Sequence, residues 1–271
     1  YSNRMGELVS IITPVYNCAK FIAETINSVI AQTYVNWELI IVDDNSDDEA
    51  TLSLLEKYRN EDSRIKIISL SENKGPGGAR NRGIEVAQGR YIAFCDSDDR
   101  WFPDKLEKQF AFIREKKCCL VYSSYILCNE DGVNNGIFIA PRIITYGGMK
   151  RDDKIGFLTA MYDTSLYGKF YFPPFRNRED WAMLILLLKE CRVAYGLKEP
   201  LAYYRIRSNS LSSNKRSLVK FYIDVYHTIL GFSVFKSYLY FGCLFLPTYS
   251  IKVIKKKVDS WRYVRSLRRK G

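Results

Sequence analysis

An α/β architecture, with a mostly parallel central sheet flanked by helices, follows from three features of the chain. Short β-branched runs alternate with amphipathic stretches through the first 125 residues, and most of these runs end in a polar or acidic turn. The 271 residues are 47% hydrophobic and 26% charged, an ordinary globular balance in a chain long enough to bury a sizeable core. Alternation of this kind implies parallel strands joined by right-handed helical crossovers.

The elements follow in order. Leu8 to Thr13 reads as a buried strand stopped by Pro14, and residues 19–32 carry Phe21, Ile22, Ile26, Val29 and Ile30 at helical spacing. A second strand, Trp37 to Asp43, ends in Asp43-Asp44-Asn45-Ser46, before a helix over 48–59 with Leu52, Leu55 and Tyr58 on one face. Ile65 to Leu70 is a third strand, and a glycine-rich turn at 73–78 opens a helix running to about Gln88. Tyr91 to Cys95 is a fourth strand, broken by Asp96-Ser97-Asp98-Asp99. Pro103 then starts a helix to about Lys116, and Leu120 to Tyr125 is a fifth strand. Residues 126–178, rich in Gly, Pro and Tyr, are expected to supply loops and short strands around a pocket. A strong helix from Glu179 to Cys191 and a short strand at Leu201–Arg205 follow.

Charge and composition narrow the chemistry. Lys and Arg number 41 against 30 Asp and Glu, a net charge of +11. Residues 251–271 hold nine basic side chains against Asp259 alone, a net of +8 that leaves +3 for residues 1–250. A nucleic-acid binder more often spreads its basic residues over a folded face, so nucleic acid is not an expected partner. The run from Ser237 to Ile251 is uncharged but only 15 residues long and contains Pro247, short of the ~20 apolar residues that span a bilayer. Ile251, Ile254, Val258, Trp261, Val264 and Leu267 recur at helical spacing among the basic residues. That pattern describes a helix lying on an anionic membrane surface, or one packed on its own domain with a solvated basic face. His227 is the single histidine, so catalysis is expected to run on carboxylates. Seven cysteines without a C-x-x-C pair read as free, buried thiols in a reducing compartment. No apolar leader precedes Leu8, which points to a cytoplasmic protein, and the amphipathic tail places it peripherally on the inner face of the membrane.

In open α/β sheets the ligand sits beyond the carboxyl ends of the strands. Thr13-Pro14-Val15-Tyr16-Asn17, the Asp43-Asp44 turn and the Asp96-Ser97-Asp98-Asp99 turn all fall there. Carboxylates gathered at one edge repel unless a cation lies between them, and a hard divalent ion held by one or two carboxylates keeps positions open for substrate phosphate oxygens. This edge therefore reads as a nucleotide-diphosphate site. For Asp43, Asp44 and Asp99 the alternative is helix capping or turn formation.

Val9 to Asn17, Val42-Asp43-Asp44-Asn45-Ser46, Ala79-Arg80-Asn81-Arg82-Gly83-Ile84 and Asp96-Ser97-Asp98-Asp99 together resemble the motifs of the family-2 glycosyltransferases with the Rossmann-like GT-A fold, in the family's order and approximate spacing. The resemblance implies an inverting glycosyltransferase that moves a sugar from a nucleotide sugar, favouring UDP-sugars, to a hydroxyl of a glycan or lipid-linked glycan. It implies Mn²⁺ or Mg²⁺ as cofactor. Pro14, Tyr16 and Asn17 would line the nucleobase pocket, with Asp44 accepting from a uracil imide N–H. Asp96 and Ser97 would meet the ribose or the metal, and Asp98 would ligate the metal. Arg80 either reaches the nucleotide or forms a buried ion pair. Asp180, at a helix start beside Glu179, would be the base, and Glu179 would assist it or bind the acceptor; the alternative is that both complement the helix dipole. Trp181 lines the acceptor pocket or belongs to the core. Where the family often has a metal-ligating His two residues after an Arg, this chain has Arg207 after Arg205, so both arginines are candidate clamps on the diphosphate. The chain thus divides into a transferase domain at 5–213, with a nucleotide half (5–125) and an acceptor half (126–213), and a helical, basic, membrane-associating extension at 214–271. The contrasting reading is a catalytically silent nucleotide-sugar binder or membrane scaffold of the same fold.

Overall fold

A computed structural model of the chain describes residues 7–175, 178–207 and 215–269. The first half runs β1 (Val9–Val15), α1 (Ala19–Ile30), β2 (Trp37–Asp43), α2 (Glu49–Glu61), β3 (Ile65–Ser69), α3 (Gly75–Val86), β4 (Tyr91–Phe94), β5 (Arg100–Trp101), α4 (Lys105–Lys116) and β6 (Leu120–Cys128). The second half adds β7 (Asn134–Phe138), β8 (Ile143–Thr145), α5 (Tyr146–Arg151), β9 (Met161–Asp163), α6 (Thr164–Tyr167), α7 (Glu179–Cys191) and β10 (Val193–Arg205). The chain closes with α8 (Lys215–Leu230), α9 (Val234–Tyr240), a π-helical turn (Phe241–Phe245) and α10 (Leu246–Arg268).

The strands form one sheet in the order β3-β2-β1-β4-β9-β6-β10-β5, with β7 against β6 and β8 against β10. β3, β2, β1 and β4 are parallel. The short β9 is antiparallel to both β4 and β6, so β6 and its parallel partner β10 run the same way as the first four. The sheet is therefore mixed, but every strand read from the sequence points in one direction. Period-two alternation sorts the core: Ile11, Leu39, Ile41 and Ala93 face α1, α2 and α4, while Ile12, Ile40, Val42 and Phe94 face α3 and α7. Gly83 lets α3 lie directly on β1, since a Cβ there would come within 2.6 Å of Ile12 Cγ2.

Three elements differ from expectation. β1 passes through Pro14 to Val15 because its pairing with β4 ends at Ile12, so the proline's missing N–H costs no ladder bond on that side. The same early end leaves the edge between β1 and β4 open. The glycine-rich turn is the first turn of α3 itself. β10 begins at Val193, its alternation hidden by register shifts around Pro200.

Cys18, Cys95 and Cys128 are buried free thiols, as expected, and Cys118 is half-buried. Cys243 is exposed, and Cys119 and Cys191 form a disulfide with Cα atoms 5.8 Å apart. Those two lie 72 residues apart in sequence, so no spacing motif announces them.

The stretch after residue 214 is joined to the body. Tyr222, Ile223, Val225 and Tyr226 of α8, with Phe241 and Phe245 of the π turn, pack in the same core as Trp181 and the apolar face of α7. α10 lies across β7, where the Ile137 N–H donates to Ser260 Oγ (3.1 Å) and Asn134 meets the Tyr263 hydroxyl.

Candidate active site

At the carboxyl ends of β1 and β2 the backbone turns through two asparagines with positive φ, Asn17 (46°) and Asn45 (63°), a conformation that asparagine tolerates better than most residues. The Asn17 carbonyl accepts from the backbone N–H groups of Asp47 and Asp48, and its amide donates to the Asp47 carboxylate. Asn17 is thus a brace between the two loops, with Tyr16 half-exposed beside it. Pro14 is buried within β1. Asp44 is buried, and its Oδ1 accepts from the Lys74 N–H (2.7 Å). Burial pushes its carboxyl up, against the pull of the N–H groups of Lys74 and Gly75.

One strand over, the acidic turn after β4 divides its labour. Asp99 is fully buried, and its Oδ1 accepts from the Arg205 N–H (2.9 Å), fastening the end of β10. Ser97 contributes its backbone carbonyl to Thr25 Oγ1 and the Cys18 thiol. Asp96 pairs with Arg80 (2.5 Å), and Asp98 with Arg207 (3.1 Å). Burial and the neighbouring Asp96 raise the Asp98 carboxyl, and Arg207 opposes them.

A hard divalent cation suits this pair. Each carboxylate keeps a second oxygen outside its arginine contact, and such ions are held by one or two carboxylates with substrate oxygens completing the shell. Among the described residues no group of three or more His, Cys, Asp or Glu side chains is placed to hold a metal ion.

The two arginines after β10 differ. Arg205 is buried and committed: it donates to the carbonyls of Asp98 and Glu130 and to the Glu24 carboxylate, with its guanidinium over the Phe21 ring. That makes it a clasp holding loops together. Arg207 is more than one-third exposed and faces Asp98. Ser208–Ser212, the rest of that segment, lies outside the described residues.

The opposite wall is the start of α7. Arg178 takes a left-handed conformation (φ 62°) before the helix and brings Glu179 against Arg80 (3.7 Å). Gly77 of α3 allows this approach, because a Cβ there would lie 3.1 Å from Glu179 Cγ. The buried Arg80 guanidinium therefore touches both Asp96 and Glu179, beside the edge-to-face pair of Phe157 and Phe172. Burial, reinforced by the Asp180 charge, pushes the Glu179 carboxyl up to about 7, and Arg80 opposes the shift. Asp180 is half-buried and its Oδ1 accepts from the Trp181 N–H (2.8 Å). Trp181 itself is core, with its indole N–H on the Met149 carbonyl.

Behind Asp180 lies a group without any local sequence signal. Asp152 is completely buried and pairs with Lys252 of α10 (2.6 Å). The Asp153 carboxyl is raised to about 7 by burial and by Asp180, with Lys252 and Arg178 opposing. Residues 153, 180 and 252 meet only in the folded chain, so periodicity and motif spacing could not reveal them.

Carboxylates at the carboxyl ends of the parallel strands thus face acids at a helix start in the second half. The chain belongs to glycosyl transferase family 2, whose profile matches residues 10–172. It is 45% identical over 223 residues to TuaG of Bacillus subtilis, a glycosyltransferase assigned to teichuronic acid biosynthesis, covering 82% of this chain and 88% of that one. It is 39% identical over 219 residues to the Escherichia coli UDP-Glc:alpha-D-GlcNAc-diphosphoundecaprenol beta-1,3-glucosyltransferase WfgD, covering 80% and 85%. Among solved structures, S. aureus TarS 1–349 in complex with UDP-GlcNAc superposes with a TM-score of 0.67 at 30% identity. That match covers 82% of this chain and 65% of TarS 1–349, so the chain spans just under two-thirds of that structure.

Proposed function

We propose that this enzyme is an inverting glycosyltransferase that moves a sugar from a UDP-sugar to a hydroxyl of a glycan or lipid-linked glycan at the inner face of a membrane. The single observation carrying the reading is Arg80, whose buried guanidinium ties Asp96 of the nucleotide edge to Glu179 of the α7 start and so makes one crevice of two acidic walls.

In this reading the uracil sits against Tyr16 and Pro14, on the loops braced by Asn17, and its imide N–H donates to Asp44. Asp96, with Ser97 in its turn, holds the ribose side, and Arg207 forks onto the diphosphate. Arg80 and Arg205 hold the walls rather than the nucleotide. Asp98 and Asp96 would hold a Mn²⁺ or Mg²⁺ ion, which when bound would offset negative charge on the departing diphosphate. Asp180 takes the proton of the acceptor hydroxyl as that oxygen forms its bond to the anomeric carbon, on the face opposite the breaking bond to UDP. Glu179 assists from the Arg80 side. A lipid-linked acceptor is supported by the relative named for a diphosphoundecaprenol-linked substrate.

Residues 251–271 rest on the anionic membrane surface, supported by the exposed Ile251, Ile254 and Trp261 among unpaired basic residues of α10. No single described helix is long and apolar enough to cross a membrane. The test is calorimetric titration of UDP, GDP and dTDP with Mn²⁺ or with EDTA, followed by turnover of UDP-sugars. Tight, metal-dependent UDP binding with transfer or donor hydrolysis is expected. Binding of UDP without any turnover would replace this reading with that of a silent nucleotide-sugar binder.

A further inference from the structure

An exposed apolar surface lies upstream of the basic tail. α9, the π turn and α10 run without a break from Val234 to Arg268. The inner face of the first part of this rod is docked: Ser237, Phe241 and Phe245 are buried, with the Phe245 ring 4.2 Å from Tyr222 and 5.8 Å from Trp181 between centroids. Its outer face carries Phe235, Tyr238, Leu239 and Gly242, spaced i, i+3, i+4 and i+7, so they form one stripe. All four are exposed, Phe235 at 79%. No charged residue occurs from Ser237 to Ile251, and Lys236 is folded back over the Phe232 ring.

Beyond this stripe the same rod becomes basic. Lys255, Lys257, Arg262 and Arg265 are exposed, and none has a carboxylate partner among the described residues. Lys252 turns inward to the fully buried Asp152, Thr248 donates to the Arg151 carbonyl, and Ser260 holds β7. The rod is thus pinned along the acceptor half, beside the residues that surround Asp180.

We propose that the stripe on α9 and the π turn enters the acyl layer of an anionic bilayer while α10 lies along the headgroups as a basic arm, so that the membrane meets the enzyme on its acceptor side. This rests on the membrane reading above and moves the penetrating element from 251–271 to 234–246. Apolar area without charge favours the acyl region, and unpaired arginines and lysines on the same rod complement anionic headgroups. A second copy docked on this face is disfavoured, because a two-fold contact would bring two +8 tails together.

The exposed Cys243, in the middle of the face, supplies the probe. The full chain carrying Cys118→Ser is labelled at Cys243 with an environment-sensitive nitrobenzoxadiazole dye and mixed with phosphatidylglycerol–phosphatidylcholine vesicles. A blue-shifted emission quenched by lipids spin-labelled in the acyl chain is expected. The double variant Phe235→Asp, Leu239→Asp is expected to lose at least tenfold in vesicle partitioning while binding UDP as before. If the protein floats with vesicles but the dye stays in water and the double variant floats normally, the insertion proposal is overturned and the membrane reading survives. If the wild type does not float at all, both fail. If the double variant instead abolishes a concentration-dependent dimer, a second copy covers the face and the proposal is wrong.

Discussion

On the proposed nucleotide edge Asp44, Asp96 and Asp98 stand one to four residues past the ends of β2 and β4, and their backbone places them before any distant contact is made. On the acceptor edge Asp180 opens α7, but its surroundings come from Asp153 in a loop, Arg178 in a strained turn and Lys252 on the last helix. The first edge is a property of the sheet; the second is a property of the whole chain. Substitutions at the nucleotide edge should therefore act locally on binding, whereas the acceptor edge should couple turnover, stability and the tail.

The largest effect is expected at Asp180. In the proposed mechanism Asp180→Asn removes the acceptor of the hydroxyl proton without changing shape, and losing a general base costs typically ~10²–10⁴ in rate. Turnover should fall by about 10³ with UDP affinity unchanged, read by product formation and calorimetry on the same sample. Weakened UDP binding together with unchanged turnover would mean that the two walls have been assigned the wrong way round.

The tail supplies the next test. Lys252→Met leaves the fully buried Asp152 carboxylate without its ammonium, and breaking a buried pair costs about 3 kcal/mol. The double variant Asp152→Asn, Lys252→Met removes both charges and should recover most of the stability. Chemical denaturation of the wild type, the Asp152→Asn and Lys252→Met single variants and the double variant measures this directly. Equal stability of all four would show that α10 is only laid against the acceptor half. On the opposite edge Asp98→Asn should be milder for the fold and specific for ligand: metal-dependent UDP affinity drops by at least about tenfold, and the difference between Mn²⁺ and EDTA titrations disappears.

The same contrast explains what could be read in advance. The six parallel strands and their crossovers were legible because period-two and period-3.6 patterns are local, and the acidic turns were legible because they sit at strand ends. Arg205 looked like a phosphate clamp because the sequence shows its charge and not its acceptors; the carbonyls of Asp98 and Glu130 that occupy it lie 107 and 75 residues away. The bracing by Asn17 was hidden for the same reason, since its partners Asp47 and Asp48 lie 30 and 31 residues away. The outer stripe on α9 was hidden inside a uniformly apolar run, where only the docking of Phe241 and Phe245 tells inside from outside.

The smallest expected effect separates the two edges by pH. Glu179 and Asp153 both have carboxyls raised to about 7, chiefly by burial. A folded-state value above the unfolded one means that, between about 4.5 and 7, the native protein holds protons that the unfolded chain has released. Stability should therefore fall as pH rises through that window, by at most about 1.4 kcal/mol per pH unit for each group. Glu179→Gln removes one such contribution, and Arg80 keeps its shorter pair with Asp96. The variant should match wild type near pH 4.5, exceed it at pH 8, and lose part of the slope between them, because Asp153 and the raised carboxyls of Asp44, Asp98, Asp99 and Asp152 still titrate. Urea denaturation at pH 4.5, 6 and 8 reads all three points. A variant less stable than wild type at pH 8 would show that the ionised Glu179 is held firmly by Arg80, which would make the acceptor edge as locally satisfied as the nucleotide edge.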